Sequence, residues 1–231
     1  MKNIILFVCL AGFSFSLFAQ QPELSGKEKR KGWILLFDGK SFAGWKTAKG
    51  MPVPAERWTI DNGILSTMPL TEGITDIITE ESFAGFELVM EFRVTEGANS
   101  GVKYYILSGT TLGCEYQIVD NNIYISDVQK HQKQLQGSLY DLIPPSKDAG
   151  KSVGQWNTLR IVSDGKNIEH WLNGKKIVEF NRSSELFREI VSKSKFVKVP
   201  EFATPAQSPV LLQDHGGVVS FRNIKIRKLS K

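Results

Sequence analysis

FELVMEFRV, residues 86–94, is the stretch that decides the fold. Phe86, Leu88, Met90, Phe92 and Val94 alternate with Glu87, Glu91 and Arg93. A period of two puts the five apolar side chains on one face and the charged ones on the other, which is a strand with one buried face. Near the end of the chain the same rhythm returns. Val219, Phe221, Ile224, Ile226 and Leu229 are interleaved with Ser220, Arg222, Asn223, Lys225 and Arg227.

Between and before these two runs the chain is a series of short strand-like segments broken by turn residues. Trp33 to Phe37 ends at Asp38-Gly39-Lys40, and Trp58 to Leu65 contains Asp61-Asn62-Gly63, a hairpin signal. Ile74 to Thr79 is β-branched; Ser100 to Leu107 and Cys114 to Asp120 follow as two more strands. Trp156 to Ser163 and Ile168 to Leu172 flank Asp164-Gly165-Lys166-Asn167, and Asn173-Gly174 leads into Lys176 to Phe180, giving two consecutive hairpins. Ser208 to Gln213 precedes the last strand, and Ser183 to Ser192 reads as a short helix capped by Ser183 or Ser184. Many short strands with regular turns and little helix predict an all-β antiparallel sandwich. Asn121 to Lys151 stands apart. It is polar, carries Pro144-Pro145 and is too long for a hairpin loop, so it is expected to serve function, with Tyr140 and Leu142 as packing anchors.

The ends set the compartment. Lys2, the apolar run Ile4 to Leu10 and the small and apolar residues to Ala19 have the pattern of a signal peptide cut near Ala19. The expected organisation is a signal peptide over 1–19, a flexible leader over 20–32 and one sandwich domain over 33–231, in a periplasmic or secreted protein. Removing 19 of 231 residues leaves 212 and takes only Lys2 among the charges, so the net charge falls from +5 to +4. Scattered basic residues predict no nucleic-acid partner, and no second apolar span predicts no membrane crossing. Cys114 is then the single mature cysteine, read as a buried inert thiol.

Three constellations could do chemistry. On a strand, Glu115 and Gln117 share one face and Tyr116 and Ile118 the other, so a carboxylate and an amide sit side by side as they would to grip sugar hydroxyls. The bland alternative pairs Glu115 with a lysine across the sheet. Asp120 falls on the opposite parity unless a bulge intervenes. In Asn99-Ser100-Gly101-Val102-Lys103-Tyr104-Tyr105, Lys103 and Tyr105 are expected on one face, with Gly101 exposing backbone to a ligand beside Asn99. Asp214-His215-Gly216-Gly217 places a histidine at a strand entry, suited to proton transfer or metal ligation. Glu115 and His215 are the candidate ligands should a divalent ion bind; no ligand set fixes one, and no other cofactor is indicated. His131 is read as solvent-exposed and His170 as structural. HExxH, P-loop, GxGxxG and GxSxG patterns are missing, which argues against common zincins, nucleotide enzymes and serine hydrolases.

Several stretches together resemble the 3-keto-disaccharide hydrolase domain family of exported Bacteroides-type proteins. They are LLFDGKSFAGW (35–45), NSGVKYY (99–105), EYQIVD (115–120), GSLYDLIPP (137–145), GQWN (154–157), HWLNGKKI (170–177) and LLQDHGGVVSFRNIKIRKL (211–229). The resemblance implies a concanavalin A-like jelly roll and an enzyme acting on glycosides whose glucose has been oxidised at C3 by a partner sugar oxidoreductase. The ketone acidifies the C2 proton, so cleavage needs a base and an oxyanion stabiliser. It implies Glu115 or His215 as base or metal ligand, and Lys103, Gln117 or Asn99 as polar groups on the sugar and enolate, with Asp120, Tyr105 and Asp214 beside them. EYQIVD also looks like the E-x-D-x-x-E signature of sandwich glucanases, with Gln117 replacing the middle acid and Asp120 the last, which weakens a conventional endo-glycosidase reading. A non-catalytic carbohydrate-binding sandwich is the other alternative.

Overall fold

The computed structural model describes residues 21–69 and 73–229; the proposed signal segment lies outside them. The chain runs α1 (Gly26–Arg30), β1 (Trp33–Leu35), β2 (Trp45–Thr47), β3 (Trp58–Asp61), β4 (Ile64–Thr67), β5 (Ile77–Thr79), β6 (Phe86–Val94), β7 (Asn99–Tyr104) and β8 (Cys114–Val119). It continues through α2 (Val128–His131), β9 (Asn157–Ser163), β10 (Asn167–Leu172), β11 (Lys175–Asn181), α3 (Glu185–Ser192), β12 (Leu211–Leu212) and β13 (Val219–Lys228). Two antiparallel sheets result. The larger has the order β11-β10-β9-β6-β13-β4-β3 with β1 added beside β13, and the smaller β2-β5-β12-β7-β8. This is the expected all-β jelly-roll sandwich.

The alternation of β6 explains why it lies at the centre. Its five apolar residues are all buried, and it pairs with both β13 and β9. Glu87, on the other face, binds Arg160 and Arg227, each at 2.6 Å. The hairpin turns fall where glycine and asparagine permit left-handed backbone. Asn62-Gly63 (φ 48° and 76°) joins β3 to β4, and Asn173-Gly174 (48° and 77°) joins β10 to β11. From the smaller sheet Val102, Tyr104, Tyr116 and Ile118 enter the core; from the larger come Phe86, Leu88 and Ile161, with the polar His170 buried as well.

His170 bolts the two sheets together. Its Nε2 meets the Tyr104 hydroxyl at 2.6 Å and its Nδ1 the Gly137 carbonyl at 3.1 Å. Burial holds its imidazole down at about 4, so it stays neutral and structural. Cys114 is buried too, and desolvation pushes its thiol up to about 12, far from a nucleophile.

Two expectations change in detail. Within the stretch expected to be a loose leader, Ser25 and Glu28 form a capping box on α1, and Glu28 pairs with Lys225 on β13. His131, expected in solvent, is half-buried and stacked on Tyr124 with ring centroids 4.6 Å apart.

Candidate active site

The long 121–151 segment does not hang free. Gly137 and Ser138 exchange backbone hydrogen bonds with Gln117, and the Tyr140 N–H donates to the Glu115 carbonyl at 3.0 Å. This covers the open edge of β8, and all six β8 residues are buried. The segment thereby walls a cleft of about 190 Å³ on the face of the smaller sheet turned away from the core, lined by Asn99, Lys103, Glu115, Gln117, Tyr140 and His215 among others.

Strand register builds this cleft. In the β7–β8 ladder Lys103 lies opposite Glu115, and Gly101 opposite Gln117. On the other side of β7, Leu211 lies beside Lys103, and the Gln213 N–H donates to the Gly101 carbonyl at 2.9 Å. One acid, one amine and two amides therefore converge on a surface that only strand parity arranges.

Glu115 and Lys103 are each 11% exposed at the side chain, with Nζ to Oε2 at 3.6 Å. The bland expectation of a cross-strand lysine is thus met, inside a cleft rather than on an open surface. Desolvation is the larger influence on Glu115 and raises its carboxyl above the ordinary range, against the pull of Lys103 and Lys195. With its nitrogen turned toward Glu115, the Gln117 amide donates to Oε1 at 3.0 Å and to the Ser100 carbonyl at 3.2 Å.

Gly101 has a different purpose from the one expected. The space above its backbone is filled by Glu115: a Cβ there would lie 2.6 Å from Oε1 and 2.9 Å from Cγ. Glycine lets the carboxylate lie flat across β7. Gly101→Ala is expected to displace that carboxylate at a stability cost of about 1–3 kcal/mol, measured by denaturant unfolding; an unchanged midpoint would show that the carboxylate moves aside freely.

Other site residues are placed elsewhere. Tyr105 was expected beside Lys103, but its backbone is left-handed (φ 50°), which breaks the alternation and turns the ring into the core. Its hydroxyl donates to the Ala84 carbonyl and meets Ser163. Asp120 keeps the opposite parity. It accepts from the Asn122 and Gly97 N–H groups, each at 2.9 Å, and caps the turn that opens the 121–151 segment. Asp214 is fully buried and pairs with Arg57. It anchors the corner from which the exposed His215 reaches the cleft. Among the described residues, no hydrogen bond joins His215 to Glu115 directly, and no group of three His, Cys, Asp or Glu side chains is arranged to hold a metal ion.

Asp76 is a residue that sequence reasoning missed. It stands just before the three-residue β5, and its Oδ1 accepts from the Asp214 N–H at 2.9 Å. Burial raises its carboxyl, and it feels the charges of Lys103, Asp214 and His215. An acid within a β-branched run was the available signal. Lys195 and Gln213 also line the cleft, and nothing local in their sequence marks them.

The jelly roll carries an acid, amine and amide cleft on one sheet, and its relatives put it among carbohydrate-active β-sandwiches. The chain belongs to the family described as the 3-keto-alpha-glucoside-1,2-lyase-like domain, which it matches over residues 32–227. It is 28% identical to the 3-keto-disaccharide hydrolase of Bacteroides thetaiotaomicron over 86% of this chain and 79% of that one. Among solved structures, a candidate glycosyl hydrolase from Parabacteroides distasonis superposes with a TM-score of 0.82 at 28% identity, covering 91% of this chain and all of that one. A second from the same organism gives 0.67 at 26% identity, covering 85% and 99%.

Proposed function

We propose that this chain is an exported enzyme that cleaves 3-keto-glucosides by elimination at C1–C2 followed by addition of water. The observation that carries this reading is Glu115, a carboxylate held over Gly101 in a cleft sized for about one sugar ring and facing Lys103. Export rests on the pattern of residues 1–19.

The C3 ketone makes the C2 hydrogen acidic. Glu115 takes that proton; the electron pair of the C–H bond forms the C2=C3 enolate, whose oxygen develops a negative charge. Lys103 supplies the neighbouring positive charge for it, in a site where low exposure strengthens the attraction. Collapse of the enolate restores the ketone, forms C1=C2 and expels the C1 substituent, whose oxygen takes up a proton. Water then adds at C1 while Glu115, its carboxyl proton exchanged with solvent in the interval, protonates C2, and the sum is hydrolysis. Gln117 and Asn99 are placed to hold ring hydroxyls. Asp120, the residue that the glucanase signature would supply for conventional retaining hydrolysis, faces away. An oxidation at C3 must precede this reaction, so a sugar 3-oxidoreductase is the implied pathway partner.

The test is isotopic. Deuterium at C2 of a 3-keto-glucoside should slow kcat/KM severalfold, and turnover in D2O should place deuterium at C2 of the product. Product with its C2 hydrogen fully retained would rule out this route.

A further inference from the structure

A cleft of about 190 Å³ has room for one ring, so the group attached at C1 must lie outside it. A second and larger cleft, about 680 Å³, adjoins it. Thr111 lines both, and Asp76, which lines the second, is close enough to Lys103 and His215 of the first to feel their charges. The two spaces meet at Thr111, with Asp76 in the wall of the second.

The chemistry of the second cleft is unlike that of the first. Its walls include Met51, Pro52, Pro54 and Ile74. Met51 is 62% exposed and Ile74 59%, while Leu112, which lines the first cleft, is 40% exposed. Large apolar side chains left uncovered beside a polar site mark a surface that is completed by a ligand. Thr47, Lys49, Thr75, Asp76, Thr110 and Thr111 are also in the lining; it is the exposed Met51 and Ile74 that a bound apolar group would cover.

We infer that the Met51–Ile74 cleft is the leaving-group subsite, that it selects 3-keto-glucosides with an apolar C1 substituent, and that Asp76 protonates the departing oxygen. This rests on the 3-keto-glucoside reading above and adds its substrate class. The proton balance closes. Asp76 gives its proton to the oxygen as the C1–O bond breaks; the resulting carboxylate then takes a proton from the water that attacks C1. Burial raises the Asp76 carboxyl, the direction that suits a donor.

The experiment compares the methyl and phenethyl 3-keto-glucosides, in both anomers. Their leaving alcohols are similar in acidity and differ in apolar surface. The wild type should favour phenethyl by about 10-fold or more in kcat/KM, and Ile74→Asp and Met51→Asp should each collapse that ratio toward one. A ratio near one in the wild type, or one untouched by both variants, overturns the subsite while leaving the cleavage reaction standing. If neither compound turns over, the reaction is what fails, and binding decides the subsite. Saturation-transfer NMR of phenethyl glucoside that is seen with wild type and lost in Ile74→Asp supports it, and no binding overturns it. For Asp76, Asp76→Asn should slow the phenethyl compound by about 10²-fold and the p-nitrophenyl compound, whose leaving group needs no proton, only severalfold. Equal losses would remove Asp76 as donor.

Discussion

Replacing Glu115 by Gln is expected to lower kcat for a 3-keto-glucoside by about 10²–10⁴-fold while the protein stays folded. Glutamine keeps the shape over Gly101 and can still bond Gln117, so the loss isolates the ability to take a proton. The same residue sets a pH dependence. A base acts when ionised, and burial raises the Glu115 carboxyl, so the acid limb of kcat/KM should lie above the ordinary carboxylate range. Activity should fall as pH drops through that limb. Stability moves the other way. A carboxyl raised in the folded state binds more protons there than in the unfolded chain, so its contribution is fully present below the unfolded value and is lost as pH rises through the folded one. Unfolding of wild type and Glu115→Gln across this range should show their difference shifting in the variant's favour with rising pH. Parallel stability profiles would mean that folding does not raise the Glu115 carboxyl; a kcat untouched in Glu115→Gln would remove it from the proton-transfer role.

The second large effect is on stability. Asp214 is fully buried and accepts from Arg57 through Nε at 2.9 Å and Nη2 at 2.7 Å, and from the Thr75 and Gly216 N–H groups at 2.9 and 3.1 Å. Arg57 is itself buried, and its remaining nitrogen donates to the Pro69 carbonyl. Asp214→Ala strands a guanidinium away from water and frees two backbone N–H groups. The expected cost is about 3–5 kcal/mol, or roughly 10 °C in melting temperature for a chain of this length. Arg57→Met with Asp214→Leu should recover much of it, because no lone charge then remains buried. A melting temperature unchanged in Asp214→Ala would mean that this corner is hydrated and open. The pair also explains how the site is held. One carboxylate ties the turn before β5, which carries Asp76, to the corner carrying His215.

The fold was readable because β6 and β13 alternate cleanly and because Asn-Gly pairs sit at hairpin turns, where backbone chemistry is local. Half of the site was readable for the same reason. Strand parity alone puts Glu115 beside Gln117 and Lys103 on the same face as Gly101. What parity cannot show is where it breaks. Tyr105 leaves the alternation through one left-handed residue, which its sequence does not announce. Asp214 looked like part of the site because it adjoins His215, but its partner is Arg57, brought in from a distant loop by the tertiary fold. Asp76 was hidden because β5 is only three residues long and its apolar run dominates the pattern. Lys195 arrives on a turn after α3, and no local feature predicts which surface that turn covers.

The central claim is that cleavage depends on a ketone at C3, and one comparison tests it most directly. Purified wild-type protein is incubated with a 3-keto-glucoside and, separately, with its unoxidised parent, and release of the C1 substituent is followed. The expected result is turnover of the keto compound with none of the parent, because only the ketone acidifies the C2 hydrogen that Glu115 faces. Comparable cleavage of the parent would contradict the elimination route and make this sandwich an ordinary glycosidase.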